Sequence, residues 1–466
     1  MGAYSLEQRG EPRLDRLKKS TLAYYSLADL PIAMSLFPVA VFIPRFWTSD
    51  MGVPLVTLAS IGVAVRVFDV FTDPLMGYLS DHTRSRFGRR KPWVLLATPI
   101  MMLSVYMLFL PPEGAGTVHY AVCSVGLSIA ITMMLIPYYA WGAELSTDYN
   151  ERSRITGGRA MAGIAGSLSA QLVPGAALLF FGIGGSSQVL MLVGITMLVL
   201  MPICVSLCLW KVPEPETYQK SVVPVLKGLK LMWQNRPFKQ LVLAFMIGSI
   251  GLNITTPLYL FFIADVLNAE DKAIYMLTFF FLSSFAAVPF WVWLAGKIGK
   301  HRAYLAAFFV LAFVHPIYLL LGEGDFWWML PITILTGFAG GGFSSTLPNS
   351  MKADVIDLDT LHSGENRAAL FFSSWSFAQK ATGTIGGALA LYGLALFGFD
   401  PAPGAINGPD ELFGVRFLFS TFPSVFFLTG AAIVWTYPIT EQRQKEIRRE
   451  IEARDQANEM PLGSPS

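Results

Sequence analysis

The chain has 466 residues, of which 53% are hydrophobic and only 14% are charged. A soluble domain of this size needs more charged side chains on its surface, so the composition excludes an ordinary water-soluble protein. The net charge of +2 gives no reason to expect nucleic acid as a partner. Apolar runs of about 20 residues, the length that crosses a bilayer as a helix, recur along the whole sequence.

These runs predict twelve membrane-spanning α-helices, because a lone apolar segment must satisfy its backbone hydrogen bonds internally. We place the spans at about residues 22–48, 54–79, 92–111, 118–143, 155–182, 187–211, 238–266, 272–296, 301–321, 326–351, 366–397 and 412–436. The segment before span 1 is polar and charged and does not resemble a cleavable signal peptide. Span 1 is therefore expected to remain in the mature protein.

The positive charges are distributed unevenly between the two sides of the membrane. Of the 34 lysines and arginines, only Arg45, Lys272 and Arg416 lie in loops that follow odd-numbered spans. Positively charged loops stay on the cytoplasmic side, so both termini are predicted to be cytoplasmic. We expect a multi-pass protein of the cytoplasmic (plasma or inner) membrane.

A charged loop with three prolines divides the chain into two halves. The predicted parts are an N-terminal six-helix bundle (1–211) with the cation site, a cytoplasmic linker (212–237), a C-terminal six-helix bundle (238–436) and a cytoplasmic tail (437–466). Weak sequence echoes occur at corresponding places in the halves, after spans 2 and 8 and at the ends of spans 4 and 10. The predicted fold is all-α and polytopic: a major facilitator fold of two six-helix bundles with pseudo-two-fold symmetry.

Two acidic residues inside span 2 are the first candidates for a functional site. Asp69 and Asp73 are four residues apart and therefore share one helix face. Two such carboxylates in a membrane cannot both stay ionised cheaply, so they must share a proton, bind a cation or pair with a base. Pro74 frees a backbone carbonyl one turn upstream as a further oxygen ligand. The alternative is a salt bridge to Arg66 that only braces the bundle.

Three other charged residues lie within predicted spans. Lys380 of span 11 is too deep to reach an interface, so it needs a carboxylate and would compensate the acidic pair of span 2 when no cation is bound. Arg159 of span 5 offers a planar donor fork for hydroxyl or carboxylate groups of a ligand, although an ordinary interfacial arginine fits its position too. Asp29 of span 1 fits either ligand contact or helix bracing.

Residues 69–93 (DVFTDPLMGYLSDHTRSRFGRRKPW) resemble the glycoside–pentoside–hexuronide:cation symporters, the melibiose-permease family of major facilitators. Shorter matches follow at residues 137–154, 235–238 and 352–367 and end near Lys380, so the resemblance touches both halves. It implies a cation-coupled symporter with the major facilitator fold.

The resemblance also implies roles for individual residues. Asp69 and Asp73 match the two acids that form the family's site for sodium, lithium or protons, and Thr132 matches a threonine that helps to ligate sodium. Lys380 matches the span-11 lysine. Arg159 matches the span-5 arginine that contacts sugar.

The sugar-binding positions depart from the family pattern. Leu135 stands where the sugar permeases carry an aspartate, and Tyr139 stands where they carry a tryptophan. Their span-1 aspartate aligns best with Ile32, although Asp29 lies nearby. The cation machinery therefore looks intact, whereas the galactoside machinery does not. The candidate substrate-binding residues are Asp29, Tyr139, Arg159 and Trp375.

The loop after span 2 is expected to act as a conformational latch on the cytoplasmic side. Its basic side chains should reach carboxylates at the end of span 4, because such pairs hold one side of a transporter shut in one state and break in the other. The latch residues are Asp81, Arg84, Arg86, Arg89, Arg90, Glu144 and Asp148. The alternative is a loop that only sets the membrane topology.

These observations predict a secondary active transporter that couples a small organic solute, a sugar or glycoside, to Na⁺ or H⁺ by alternating access. One relative of the family carries lysolipids, so a cation-coupled transporter of an amphipathic or lysolipid-like substrate is the alternative, and a uniporter is a further one. We expect no metal centre and no cofactor other than the coupling ion (Na⁺, Li⁺ or H⁺). The expected partners are the substrate, a monovalent cation and the lipid bilayer, with function as a monomer.

Two other classes of protein fit the sequence less well. A membrane-embedded enzyme would need a metal cluster, a nucleophile–base pair or acid pairs on different spans, and none stands out in the sequence. A non-transporting sensor on the same scaffold would carry an added soluble domain, for which the predicted tails are too short.

Overall fold

The computed structural model describes residues 17–146, 149–182, 185–214, 235–363 and 368–439, and tail residues 442–444, 446–447 and 449–450. Within these residues the regular secondary structure is entirely helical, as predicted. The predicted linker and tail lie mostly outside the described residues.

The helices follow the predicted spans in order, and we number them α1 to α12. They are α1 (Lys19–Val41), α2 (Leu55–His82), α3 (Lys91–Phe109), α4 (Thr117–Glu144), α5 (Tyr149–Phe181), α6 (Ser186–Lys211), α7 (Arg236–Val266), α8 (Glu270–Ala286 and Val288–Ile298), α9 (Lys300–Leu320), α10 (Phe326–His362), α11 (Ala368–Leu396) and α12 (Pro409–Trp435). Among the described helices, ten are long and apolar enough to cross a membrane, and the pair that forms α8, bent by 40°, makes eleven. The remaining helix, α11, has 29 residues but carries Lys380 among small and polar neighbours.

Wide π-type turns occur at corresponding places in the two halves. Phe46–Asp50 form such a turn just after α1, and Phe262–Val266 form another at the end of α7. A third, Gly342–Thr346, interrupts α10. Single π turns are rare in proteins, and those that are present often lie at functional sites. Their matching positions in the first helix of each half fit an internally repeated fold.

The two halves meet along three helix pairs. Helix α2 packs against α11, α5 against α8, and α1 against α7. The hydrophobic core of the first half continues into the second half through residues such as Ile254, Phe261 and Phe419. A separate core that includes Phe245 and Trp375 lies within the second half. The shared core therefore joins the halves near the end remote from the loops predicted to be cytoplasmic.

Glycines of α10 permit close packing against α8. A Cβ atom added at Gly337 would collide with the backbone carbonyl of Phe280, and one added at Gly341 would collide with the backbone carbonyl of Ser284. Close backbone approach of this kind is typical of small residues at helix interfaces in membranes. The glycine run of α10 is therefore a packing device.

Candidate functional site

The acidic pair of α2 lies where the two halves meet, and Asp69 is its more deeply buried member. Asp69 is 4% exposed and accepts a short hydrogen bond from the hydroxyl of Ser128 on α4. Arg66 donates from Nη1 to the second oxygen of Asp69 at 2.8 Å. The carboxylate of Asp69 is therefore engaged on both oxygens by groups of its own half.

Asp73 is engaged in the same way, but by both halves of the protein. The hydroxyl of Thr132 on α4 donates to one carboxylate oxygen at 2.8 Å. The ammonium of Lys380 on α11 forms a short ion pair with the other oxygen. The side chains of Asp73 and Lys380 are 26% and 39% exposed, so the pair is partly accessible to water.

The charges of this cluster, carried by Asp69, Asp73, Arg66 and Lys380, balance each other. Arg66 also donates from Nε to the hydroxyl of Thr384 on α11 at 3.1 Å, so it contacts both halves. The structure thus contains both pairings considered from the sequence: Lys380 contacts the acidic pair, and Arg66 forms a salt bridge with Asp69. With two carboxylates facing two cations, the cluster carries no net charge when all four groups are ionised.

Ser128 is a site residue that the sequence analysis missed. It precedes Thr132 by four residues, which is the same spacing that separates Asp69 from Asp73. Two helices with matching four-residue spacing form a ladder in which each hydroxyl of α4 faces one carboxylate of α2. The repeated spacing is the signal that could have identified Ser128.

A second cluster lies between α1, α4 and α5. Arg159 donates from Nε to Asp29 at 2.8 Å, and its guanidinium lies 3.6 Å from the ring centre of Tyr139. Tyr138, which the sequence analysis did not select, donates a hydrogen bond of 2.5 Å to the backbone carbonyl of Tyr25. Three of the four predicted substrate-binding residues therefore lie together and belong to the first half.

Trp375, the fourth candidate, does not join this cluster. It is 3% exposed and packs in the core of the second half, with its ring 4.2 Å from that of Phe245. The ammonium of Lys352 lies 4.8 Å from the centre of the Trp375 ring. Its ring is therefore buried among these neighbours in this conformation, apart from the other three candidates, and its role in substrate binding stays a prediction.

The loop after α2 brings several of the predicted latch residues together. Arg90 is buried and forms ion pairs with Asp81 at 2.5 Å and with Glu144 at 2.7 Å. Arg89 forms an ion pair with Glu144 at 3.0 Å. These pairs connect the end of α2 to the end of α4 within one half.

The other latch residues behave differently. Arg84 and Arg86 are exposed and form no ion pair with a carboxylate in the part of the chain that the structure describes. Asp148 lies outside the described residues. Glu214, which the sequence analysis missed, accepts hydrogen bonds of 2.6 Å from the backbone amides of both Arg89 and Arg90. The carboxylate therefore sits at the N-terminus of α3, where a helix dipole favours negative charge.

An ion pair between the halves lies at the opposite end of the bundle. Arg45, just after α1, forms a short ion pair with Asp265 and a longer one of 3.5 Å with Glu270. Its guanidinium also lies 5.5 Å from the ring centre of Phe261. Nearer the middle, the hydroxyls of Ser60 and Tyr392 are 2.8 Å apart across the same boundary.

Comparisons with known proteins agree with this architecture. Residues 24–441 match the family described as MFS/sugar transport protein. The glucuronide carrier protein homolog of Escherichia coli (strain K12) is 25% identical over 94% of this chain and 96% of its own length. The sodium-dependent lysophosphatidylcholine symporter 1-B of Danio rerio is 23% identical over 93% of this chain and 90% of its own length.

A solved structure supports the same fold. The crystal structure of the nucleoside transporter NupG superposes with a TM-score of 0.58 at 14% sequence identity, and the match covers 90% of this chain and 100% of that one. At such a low sequence identity, the superposition supports a shared fold and no statement about function. Since the family match spans almost all of the described helices, this chain belongs to the MFS/sugar transport protein family of major facilitators.

Proposed function

We propose that this protein is a symporter that couples a sugar or glycoside to a monovalent cation at Asp69, Asp73 and Thr132. The observation that carries the proposal is the pairing of Asp73, a membrane-embedded carboxylate, with Lys380 from the other half. A buried or half-buried charge inside a membrane is expensive and marks a functional pathway. The relatives named as a glucuronide carrier homolog and as a sodium-dependent symporter support the same class of activity.

The proposed coupling step is an exchange of cations at Asp73. A sodium or lithium ion, or a proton, takes the place of the Lys380 ammonium on this carboxylate, and the hydroxyl of Thr132 turns its oxygen toward the ion. The arriving charge breaks an ion pair between the halves. The equilibrium between conformations therefore shifts with cation occupancy, because the ion interacts differently with the two states.

The proposed substrate site is the cluster of Asp29, Tyr139 and Arg159. Asp29 accepts hydrogen bonds from sugar hydroxyls, and Arg159 donates them through a planar fork. The Tyr139 ring already holds a guanidinium on its face, and its remaining edge offers an apolar surface for a sugar ring. The partly exposed side chains of Arg159 and Asp29, at 18% and 10%, support access to a ligand.

Alternating access and membrane orientation complete the proposal. With both termini in the cytoplasm, the Arg45 ion pair lies on the outer side, and the arrangement corresponds to an inward-facing state. The pairs of Arg89 and Arg90 with Glu144 stay within the first half in this state. In the outward-facing state we expect Arg89 and Arg90 to leave Glu144 and to pair with carboxylates of the second half.

A second candidate is transport of an amphipathic lipid, because one relative is named as a lysophosphatidylcholine symporter. A uniporter is the remaining alternative, and only a measurement of coupling separates it from a symporter.

The test is uptake into proteoliposomes with a panel of labelled sugars, glycosides and lysolipids, run under separate sodium and proton gradients. Accumulation of a sugar or glycoside above equilibrium under one gradient supports the proposal. Accumulation of lysolipids alone would favour the second candidate. Uptake of a solute that only equilibrates under every gradient would identify a uniporter.

A further inference from the structure

A cavity of about 250 Å³ lies between α1 and the second half, outside both clusters described above. Its walls are mainly apolar and aromatic, and they include Phe37 of α1 together with Phe280, Phe281 and Met276 of α8. The rim carries half-exposed or exposed hydroxyl side chains, among them Ser344. The inner end is buried. The cavity is therefore lined by both halves, with its mouth at the exposed Ser344.

The buried end of the cavity is polar and structurally defined. The Tyr318 hydroxyl lies 3.2 Å from the hydroxyl of Thr333 and 3.1 Å from that of Thr336. His315, which is only 4% exposed, lines this end and is hydrogen-bonded to the backbone of Leu311 one turn earlier in its own helix. The imidazole and hydroxyl groups together give this end of the cavity a few polar groups within an otherwise apolar wall.

The volume limits what the cavity can hold. A protein cavity of about 150 Å³ accommodates benzene, so 250 Å³ corresponds to roughly ten non-hydrogen atoms. A substituted aromatic ring or a short alkyl group fits this volume. The long acyl chain of a lysolipid does not.

The position of the cavity relates it to the proposed sugar site. Phe37 follows Asp29 by eight residues in α1, which places it about 12 Å farther along the helix axis. A glycoside has a polar sugar ring and an aglycone joined through one glycosidic oxygen, so a single molecule offers a polar part and an apolar part to two neighbouring regions. An aromatic-lined pocket with a few polar groups at its end is the usual form of a specific small-molecule site.

We infer that this cavity is a binding site for the apolar aglycone of a glycoside substrate, with an aryl or short alkyl group as its occupant. The inference rests on the proposed function as a glycoside symporter and names its substrate class more closely. The first half then selects the sugar ring, and the second half selects the substituent. A ligand held by both halves also links substrate binding to their relative position.

The experiment measures binding and cation-driven uptake of methyl, p-nitrophenyl, hexyl and hexadecyl glycosides of several common sugars by the full-length protein. For any sugar that binds, we expect the p-nitrophenyl form to bind on the order of tenfold more tightly than the methyl form, because the ring buries apolar area. The gain should extend to hexyl and be lost for hexadecyl, which exceeds the cavity.

Two variants assign this gain to the cavity. Ser344→Phe should block the mouth, and the Ser344 hydroxyl bonds only to a carbonyl of its own helix, so no contact between helices is lost. Gly340→Leu should fill the interior, since a Cβ atom there meets Phe280 only at an ordinary 3.5 Å. Both should abolish the p-nitrophenyl gain while methyl glycosides still bind. Leu335→Phe, which adds bulk to the exposed side of the same helix, is the matched control and should retain the gain.

The possible failures are distinguishable. If methyl glycosides are transported but the p-nitrophenyl gain survives both filling variants, the aglycone binds elsewhere and the inference is wrong while the proposed function stands. A gain that continues to hexadecyl would also overturn the assignment. If no glycoside of any sugar binds or is transported, the proposed function itself fails.

Discussion

Replacement of Asp73 by asparagine is the most direct test of the proposed coupling site. The substitution keeps the shape of the side chain and its hydrogen bond from Thr132, but it removes the negative charge that faces Lys380. A bound cation then loses the attraction of a full charge and meets the Lys380 ammonium without its partner. Asp69 remains, but Arg66 still neutralises it.

The size of the effect follows from the exposure of the pair. Two unit charges 4 Å apart interact by about 1 kcal/mol in water and by about 4 kcal/mol at the effective dielectric constant of a protein surface. Asp73 is 26% exposed, so its attraction for a cation lies between these limits. We therefore expect cation affinity to fall by about 5-fold at least and by as much as about 10³-fold. Gradient-driven accumulation should then collapse to equilibration.

The assay compares sodium-driven and proton-driven accumulation in proteoliposomes with substrate exchange in the absence of a gradient. Asp73→Asn should abolish accumulation under both gradients and leave part of the substrate exchange. Asp50→Asn makes the same chemical change outside the cluster, where Asp50 accepts a hydrogen bond from Ser187, and it should behave like the native protein. Full accumulation by Asp73→Asn under either gradient would refute the coupling role of this residue.

Three further outcomes are expected from other substitutions. Thr132→Ala should lower cation affinity by roughly 5- to 10-fold, measured by titration of uptake with sodium, because one oxygen ligand and one hydrogen bond to the carboxylate are lost; an unchanged sodium dependence would remove Thr132 from the site. Arg159→Lys should raise the KM for substrate about tenfold or more without changing the cation dependence, because an ammonium cannot reproduce the donor fork toward Asp29. A change in cation dependence alone would contradict the assignment of Arg159 to the substrate site. Arg45→Gln should shift the equilibrium toward the outward-facing state by about 1 kcal/mol, because its ion pair with Asp265 is partly exposed. Distance measurements between spin labels on the two halves should detect this shift. An unchanged distance distribution would show that the ion pair does not bias the conformations.

The fold was predicted well from the sequence because the signals that specify the helices are local. Each long apolar run specifies a helix by itself, and the paired echoes between halves identify the repeat. The acidic pair and the lysine were found for the same reason, because a charge within an apolar run is visible without knowledge of its neighbours. Pro289 follows the bend in α8 and a glycine run precedes the wide turn of α10, but these residues do not specify the bend angle or the type of turn.

The features that the sequence did not indicate depend on geometry between helices. Trp375 was predicted to lie on the facing wall of span 11, but its ring packs in the core of the second half, which depends on neighbouring helices and not on the local residue pattern. The pair of Arg45 with Asp265 joins residues 220 positions apart, and only the packing of the halves brings them together. Likewise, Glu214 was hidden in a proline-containing loop, where the residue pattern does not indicate which helix end it would cap.

Under the proposed mechanism, the arrangement at Asp73 would let one ion control a whole bundle. The cluster contacts α11 at two points, through Lys380 on Asp73 and through Thr384 on Arg66, whereas its remaining hydrogen bonds stay within the first half. An ion that displaces Lys380 therefore removes a bond between halves without disturbing the ladder of α2 and α4. Had the compensating lysine belonged to the first half, cation binding would have changed only local charge. Because it belongs to the second half, cation binding and the relative position of the halves would be linked, so that a conformation in which Lys380 lies away from Asp73 binds the cation more tightly.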